Sequence, residues 1–269
     1  MARAHARRQL ETRRMRILLT NDDGVHAEGL EALEQIASEL SDDVWIVAPE
    51  TDQSGASHSI SLSDPLRLRE LGEKRFAVRG TPSDCVIMGV RHVLADIRPD
   101  LILSGVNRGQ NVAEDVTYSG TIAGAIEGTL LGIPSIALSQ NFNREREIDD
   151  MFASARAHGA DVVSRIIKAG FARDRLVNVN FPGCEANEVE GVAVTRQGQR
   201  NQELLKIEAR TDGRGNPYFW IVFGRGRYEA GEGTDLAAIR DRRISVTPLK
   251  IDLTDEALFD GLEAVFAAD

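Results

Sequence analysis

Short apolar runs alternate along the chain with longer stretches of helical period. RILLT (16–20), VWIVAP (44–49), RFAV (75–78), DLILSG (100–105), PSIALS (134–139) and LVNVNFP (176–182) are brief and rich in Val, Ile and Leu. Gly, Pro, Asn or Ser closes most of them, which predicts strands buried on both faces. Between the first two, Leu30, Leu33, Ile36, Ala37 and Leu40 recur at helical spacing. The stretch SGTIAGAIEGTLLG (119–132) places Ile122, Ile126 and Leu130 on one predicted face, and Gly124 and Gly128, four apart, predict close helix packing. Phe152, Val162, Val163, Ile166 and Ile167 mark a third helix. Strand–helix alternation of this kind predicts an α/β domain, a doubly wound and mostly parallel sheet, over residues 15–185.

The texture changes after residue 185. ELLKIEA (203–209) and YFWIVFG (218–224) flank the turn-rich RTDGRGNP (210–217), which predicts a β-hairpin. That hairpin presents Phe219 and Trp220 and calls for another surface to pack on, such as a second subunit. A short helix at TDLAAIRD (234–241), the strand RISVTPL (243–249) and a closing helix from Asp255 complete the chain. The expected organisation is a basic, disordered tail at 1–14, an α/β core at 15–185, and a C-terminal hairpin, strand and helix at 186–269 for oligomerisation.

A chain of 269 residues with 42% hydrophobic and 28% charged content is an ordinary globular composition. Its net charge of -10 and pI of about 5.1 argue against binding a nucleic-acid polymer, which needs a basic face. Cys85 and Cys184 have no CxxC or Cys/His neighbours and read as two half-buried thiols, not a zinc site. No run reaches membrane-spanning length. The leading MARAHARRQLETRR lacks the apolar centre of a secretory signal, so a cytoplasmic location is expected.

In an open α/β sheet, ligands collect where loops leave the carboxyl ends of the strands. Four such loops are unusual. The first, TNDDG, sets Asn21, Asp22, Asp23 and Gly24 at the end of a central strand. It reads either as a plain turn or as a pair of hard oxygen donors whose repulsion a Mg²⁺ or Mn²⁺ would remove. The second, APETDQSGASHSIS (48–61), is long and polar and carries Ser54, Ser57, His58 and Ser59. His58 can bind phosphate, act as an acid, or tie the loop down. The third, LILSGVNRGQN (101–111), ends a strand at Ser104 and Gly105 and offers Asn107 and Asn111 among glycines, beside the positive Arg108. The fourth, YSGTIAGAIEG, opens a helix at Ser119, Gly120 and Thr121, a start suited to an anion because unpaired N–H groups and the dipole both favour negative charge. A GxxxxGK[ST] loop, a GxGxxG after the first strand and a GxSxG elbow are all missing, which leaves metal-assisted chemistry on a phosphate.

RILLTNDDG, VAPETDQSGASHSI, GTPSDCV, SGVNRGQN, SGTIAGAIEG, IPSIALS and ISVTPL, in that order from Met15 to Leu249, resemble the blocks of the SurE family, the survival-protein nucleotidases. The resemblance implies a divalent-metal-dependent phosphatase acting on nucleoside 5′- and 3′-monophosphates, some members also cleaving short polyphosphate. It places the metal ligands on Asp22, Asp23, Ser54 and Asn107, one Mg²⁺ or Mn²⁺ per subunit. It also implies a Rossmann-like domain whose C-terminal hairpin and helix are exchanged between subunits of a homodimer or homotetramer. The expected catalytic residues are Asp22, Asp23 and His58. The expected phosphate neighbours are Asn21, Ser104, Gly105, Asn111, Ser119, Gly120 and Thr121. Arg242 stands where the family usually has Gly, which puts the left-handed cap of the preceding helix in question. The alternatives are a non-enzymatic nucleotide- or metal-binding module and a glycosyltransferase-like enzyme.

Overall fold

The first strand decides how the domain is layered. Successive strand residues point to opposite faces, so Ile17 and Leu19 enter one apolar cluster and Leu18 another. The structure is a computed structural model that describes residues 15–142, 149–170, 172–200, 205–223 and 230–267; the basic tail lies outside them. In chain order the elements are β1 (Arg16–Thr20), α1 (Glu28–Ser38), β2 (Asp43–Pro49), β3 (Arg67–Gly72), β4 (Arg75–Arg79), α2 (Pro82–Met88), β5 (Leu101–Arg108), α3 (Asp115–Tyr118), α4 (Gly120–Leu130), β6 (Ser135–Gln140) and α5 (Ala153–Ala169). After them come β7 (Arg175–Phe181), β8 (Val192–Val194), β9 (Leu205–Thr211), β10 (Pro217–Phe223), α6 (Asp235–Arg240), β11 (Ile244–Lys250) and α7 (Glu256–Phe266).

Among the described residues nine strands form one sheet in the order β3–β4–β2–β1–β5–β6–β7–β11–β8. The strands from β4 to β7 are parallel. Only β3 on β4 and β11 on β7 run antiparallel. The chain therefore winds outward from β1 in both directions, as the sequence pattern predicts, and the fold is Rossmann-like. The winding reverses between β1 and β5, and that is where a crevice opens.

Helices α1 and α5 cover one face. Leu30, Leu33 and Ile36 meet Phe152, Val162 and Val163 over Ile17, Leu19 and Leu103. On the other face Cys85 and Val86 of α2 pack on Leu18, Val47 and Ile102, and Ile122 and Ala125 of α4 pack beside Ala137 and Leu176. The predicted face of α4 is inward through its first turns, where Ile122 is buried and Ile126 packs on the same cluster, and turns outward at its end. Leu130 is 55% exposed, and the helix instead lays its glycines on the sheet. A Cβ at Gly128 would stand 2.4 Å from Ser135 Oγ, and one at Gly124 2.8 Å from Ser104 Oγ. Both cysteines are fully buried, not half-buried, and burial pushes the Cys85 thiol well up.

The sheet continues past residue 185, because β11 pairs with β7 and β8 with β11. The hairpin β9–β10 forms a separate two-stranded sheet in which Trp220 faces Glu208. It leaves Phe219, Trp220 and Ile221 exposed, and α7 likewise exposes Leu258, Phe259 and Phe266. The cap in question does form. Arg242 takes φ +52°, Arg243 N–H donates to Ala238 O at 2.8 Å, and Arg242 N–H donates to Ile239 O at 3.2 Å. That is a complete Schellman pair after α6, with arginine in the left-handed position.

Candidate active site

The crevice is built from the loops that follow β1, β2 and β5 and from the start of α4. After β1 the chain doubles back at Gly24, φ +103°, a conformation that favours glycine. Asn21 Nδ2 closes the turn by donating to Gly24 O at 2.9 Å. The turn carries Asp22 under cover, 4% exposed, while Asp23 stays half-buried. The loop after β2 lies across this turn: Val25 N–H donates to Pro49 O and Gln53 N–H to Asp22 O, each at 2.8 Å. Ser54 is thus one residue from a direct contact with Asp22. Its own N–H is held by Asp52 Oδ1 at 2.7 Å, and its side chain is exposed.

The register of β5 against β6 slips between Ser104 and Asn107. Such a bulge re-aims the residues after it. Arg108 N–H then donates to Asp23 Oδ2 at 3.2 Å, which puts Asn107 beside the second carboxylate. Asn107 Nδ2 donates to Gly109 O at 2.8 Å, so its donor group is used and its oxygen is the part left for a ligand. The Arg108 guanidinium lies 5.8 Å from the ring centroid of Phe142, a residue just past β6 that is 39% exposed.

The third wall is the N-terminus of α4. Ser119 Oγ accepts Ile122 N–H at 3.1 Å and caps the helix. A Cβ at Gly120 would lie 2.8 Å from Asp22 Cβ, and the Thr121 hydroxyl donates to Asp22 Oδ1. The glycine therefore serves the close approach of the helix to the carboxylate. Burial pushes the Asp22 carboxyl up to about 6; Thr121 opposes the rise, and Asp23 and Asp52 add to it. Asp23 is raised too, first by burial, with the Arg108 N–H opposing and Asp52 adding.

Asp22, Asp23, Asn107 and the Ser54 loop thus share one rim with Asn21, Ser119, Gly120 and Thr121. Four expected site residues are placed otherwise. Ser104 is fully buried with its hydroxyl beneath α4. Gly105, φ +138°, packs so tightly on β6 that a Cβ would stand 2.2 Å from Leu138 O. Asn111 is bound into a buried amide network: its Nδ2 donates to Ser139 Oγ at 2.8 Å, its N–H to Asn180 Oδ1 at 2.7 Å, and its carbonyl accepts from Asn178. His58 Nε2 pairs with Glu127 Oε2 at 3.0 Å, seven residues and about 10 Å along α4 from Gly120, so it ties the loop down. The sequence reading missed Asp52, Glu127 and Phe142. Asp52 sits in a loop already singled out, Phe142 lies just past β6 outside those loops, and Glu127 is marked as the one charged residue of α4.

Among the described residues no three His, Cys, Asp or Glu side chains form a metal cage. The expected donor set needs none, since it joins two carboxylates to neutral oxygens. The residues present fit a hard cation. Two buried or half-buried carboxylates stand together with a third nearby, and the buried Asn21 Oδ1 has no hydrogen-bond partner.

Carboxylates, amide oxygens and a helix N-terminus at the switch point of a doubly wound sheet define a ligand-binding α/β protein of the Rossmann-like class. Comparison with known proteins narrows this. The family model described as survival protein SurE matches residues 17–204. A 5'-nucleotidase SurE of Methylorubrum extorquens (strain PA1) is 66% identical over 254 residues, 94% of this chain and 100% of that relative. One of Rhodopseudomonas palustris (strain BisB5) is 63% identical over 245 residues, 90% and 96% of the two chains. The crystal structure of the SurE protein from Aquifex aeolicus is similar at TM-score 0.79 and 38% identity, covering 93% of this chain and 98% of that one. The chain belongs to the SurE family.

Proposed function

We propose that the chain is a nucleotidase that releases phosphate from nucleoside 5′- and 3′-monophosphates, with short polyphosphate as a further substrate, using one Mg²⁺ or Mn²⁺ per subunit. As a SurE protein with relatives named 5'-nucleotidase, it is a phosphoric monoester hydrolase. The observation that carries the reading is the meeting of Asp22 and Asp23 with the α4 N-terminus at the β1–β5 switch point.

Asp22, Asp23, Ser54 and Asn107 would hold the cation. When bound, a divalent ion there supplies Lewis-acid polarisation of the phosphoryl group and a lowered pKa for a bound water. The chain's own groups do the rest. Thr121 fixes the Asp22 carboxylate by its hydroxyl hydrogen bond. The first N–H groups of a helix have no partners within it, so those at Gly120 and Thr121 are suited to phosphate oxygens. Asp22 or Asp23 would orient an attacking water. The Arg108–Phe142 pair at the rim favours an ester whose alcohol carries a flat base, because both a guanidinium and a ring stack on one.

The exposed apolar side chains of the hairpin and α7 support a homodimer or homotetramer in which these elements cover a neighbouring subunit. The test of activity is phosphate release from a panel of nucleoside monophosphates, polyphosphate and p-nitrophenyl phosphate, with Mn²⁺, Mg²⁺ or EDTA. Metal-dependent turnover that is lost in both Asp22→Asn and Asp23→Asn is expected. Nucleotide binding with no release from any substrate would sink the proposal and favour a binding module.

A further inference from the structure

Beyond the groups that line the crevice, one arginine outside it holds two of its walls in place. Helix α3 is a single turn joining the β5 loop to Ser119, and both of its ends are tied. At its start the Arg200 guanidinium forks onto the two oxygens of Asp115, one contact being Nη2 to Oδ2 at 2.7 Å. The pair is 17% and 23% exposed, and Arg200 N–H donates to the Glu114 carboxylate at 3.0 Å. The same stretch of chain grips the loop before α3. Gln197 Nε2 donates to Ala113 O at 2.9 Å, and the fully buried Asp235 accepts Ala113 N–H at 2.9 Å and Gly198 N–H at 2.8 Å. At the far end of α3, Thr117 O accepts Ser57 Oγ at 2.8 Å, which anchors the loop bearing Ser54. Ser119, the cap of α4, follows directly and donates its N–H to Asp115 O at 3.0 Å.

We infer that Arg200 is a positioning residue: by clamping Asp115 it sets α3, and through α3 both the N-terminus of α4 against Asp22 and the Ser54 loop. The inference rests on the crevice being the catalytic centre. A fork of two parallel N–H···O contacts fixes direction as well as distance, which a lysine ammonium does not. Arg200 also lies five residues before the start of β9.

The test compares wild type, Arg200→Lys and Arg200→Ala in two readouts. The first is kcat and KM for a nucleoside monophosphate with Mn²⁺. Arg200→Ala is expected to lower kcat by about 10- to 100-fold, the loss that goes with a displacement of about 1 Å, with KM within about threefold. Arg200→Lys should recover part of it. The second is amide hydrogen exchange of the protein in EDTA. Exchange should quicken over residues 53–58 and 113–122 in Arg200→Ala and stay unchanged in β1 and α1. Unchanged kcat overturns the inference, and so does an exchange increase that spreads equally through β1 and α1, which marks a general loss of stability. If Arg200→Ala does not fold, Asp115→Asn removes the same ion pair while leaving an acceptor for Val112 N–H, and the same outcomes apply. If wild type releases no phosphate from any substrate, the functional reading fails, and the exchange pattern alone then upholds or overturns the clamp.

Discussion

Replacing Asp22 by Asn should stabilise the metal-free protein at alkaline pH. Asp22 is 4% exposed and titrates at about 6 in the fold, against an ordinary 3.8, with burial as the largest cause. The sign follows from linkage. A carboxyl raised by folding binds its proton more tightly in the native state, so its penalty is small below the unfolded value and grows as pH rises through 6. At about 1.4 kcal/mol per tenfold change in proton affinity, the cost is about 3 kcal/mol at pH 8 and under about 1 kcal/mol at pH 4. Asparagine keeps an oxygen for the Thr121 hydroxyl but accepts more weakly than a carboxylate, by about 1 kcal/mol. The net gain is therefore about 2 kcal/mol at pH 8, or about 4–8 °C in midpoint for a chain of this size. Thermal unfolding in EDTA at pH 8 and pH 4, by calorimetry or dye fluorescence, measures it. Adding Mn²⁺ should reverse the order, because at 100 times Kd a ligand of the native state adds about 2.7 kcal/mol to wild type. An Asp22→Asn variant no more stable than wild type at pH 8 in EDTA would refute the burial argument. A difference that is the same at both pH values would do so as well.

Gly120→Ala places a methyl 2.8 Å from Asp22 Cβ, so α4 has to move off the carboxylate, and kcat should fall about 100-fold while far-ultraviolet circular dichroism stays unchanged. Arg242→Gly relieves a left-handed arginine at φ +52°, a strain of about 1 kcal/mol. It gives up an exposed pair with Glu190 worth under about 1 kcal/mol, so the midpoint should rise by about 1–2 °C; a fall would show the ion pair to be the stronger of the two. Trp220→Glu puts a charge into the exposed apolar face of the hairpin and should lower the mass seen by light scattering behind a sizing column, leaving the α/β body folded.

What the sequence made legible were the features with local causes. The parallel strands were readable as apolar runs because both of their faces are covered, and β9–β10 because a turn separates two β-rich runs. The edge strand β3 was not, since its pattern of mostly exposed residues carries no buried period. Strand β8 is three residues long, too short for any period to appear. Only the Leu130 end of the predicted α4 face turns outward, because the glycine ridge that packs there carries no hydrophobic signal, although the spacing of Gly124 and Gly128 does announce the close packing. Helix α1 ends at Ser38, before the apolar spacing through Leu40 runs out, and Leu40 still packs on the core from the following turn. The rim carboxylates were readable because acids at a strand end stand out. Sequence neighbourhood points Asn111 and Ser104 to the rim, and long-range partners, Asn178, Asn180 and α4, turn them inward. His58 illustrates the same limit: its partner Glu127 lies 69 residues away.

Helix α4 is a party wall between two rooms. Its glycine ridge seals the hydrophobic interior, and its first turn lies hard against Asp22. Interior repacking that shifts this helix by a fraction of an ångström is therefore felt at Asp22.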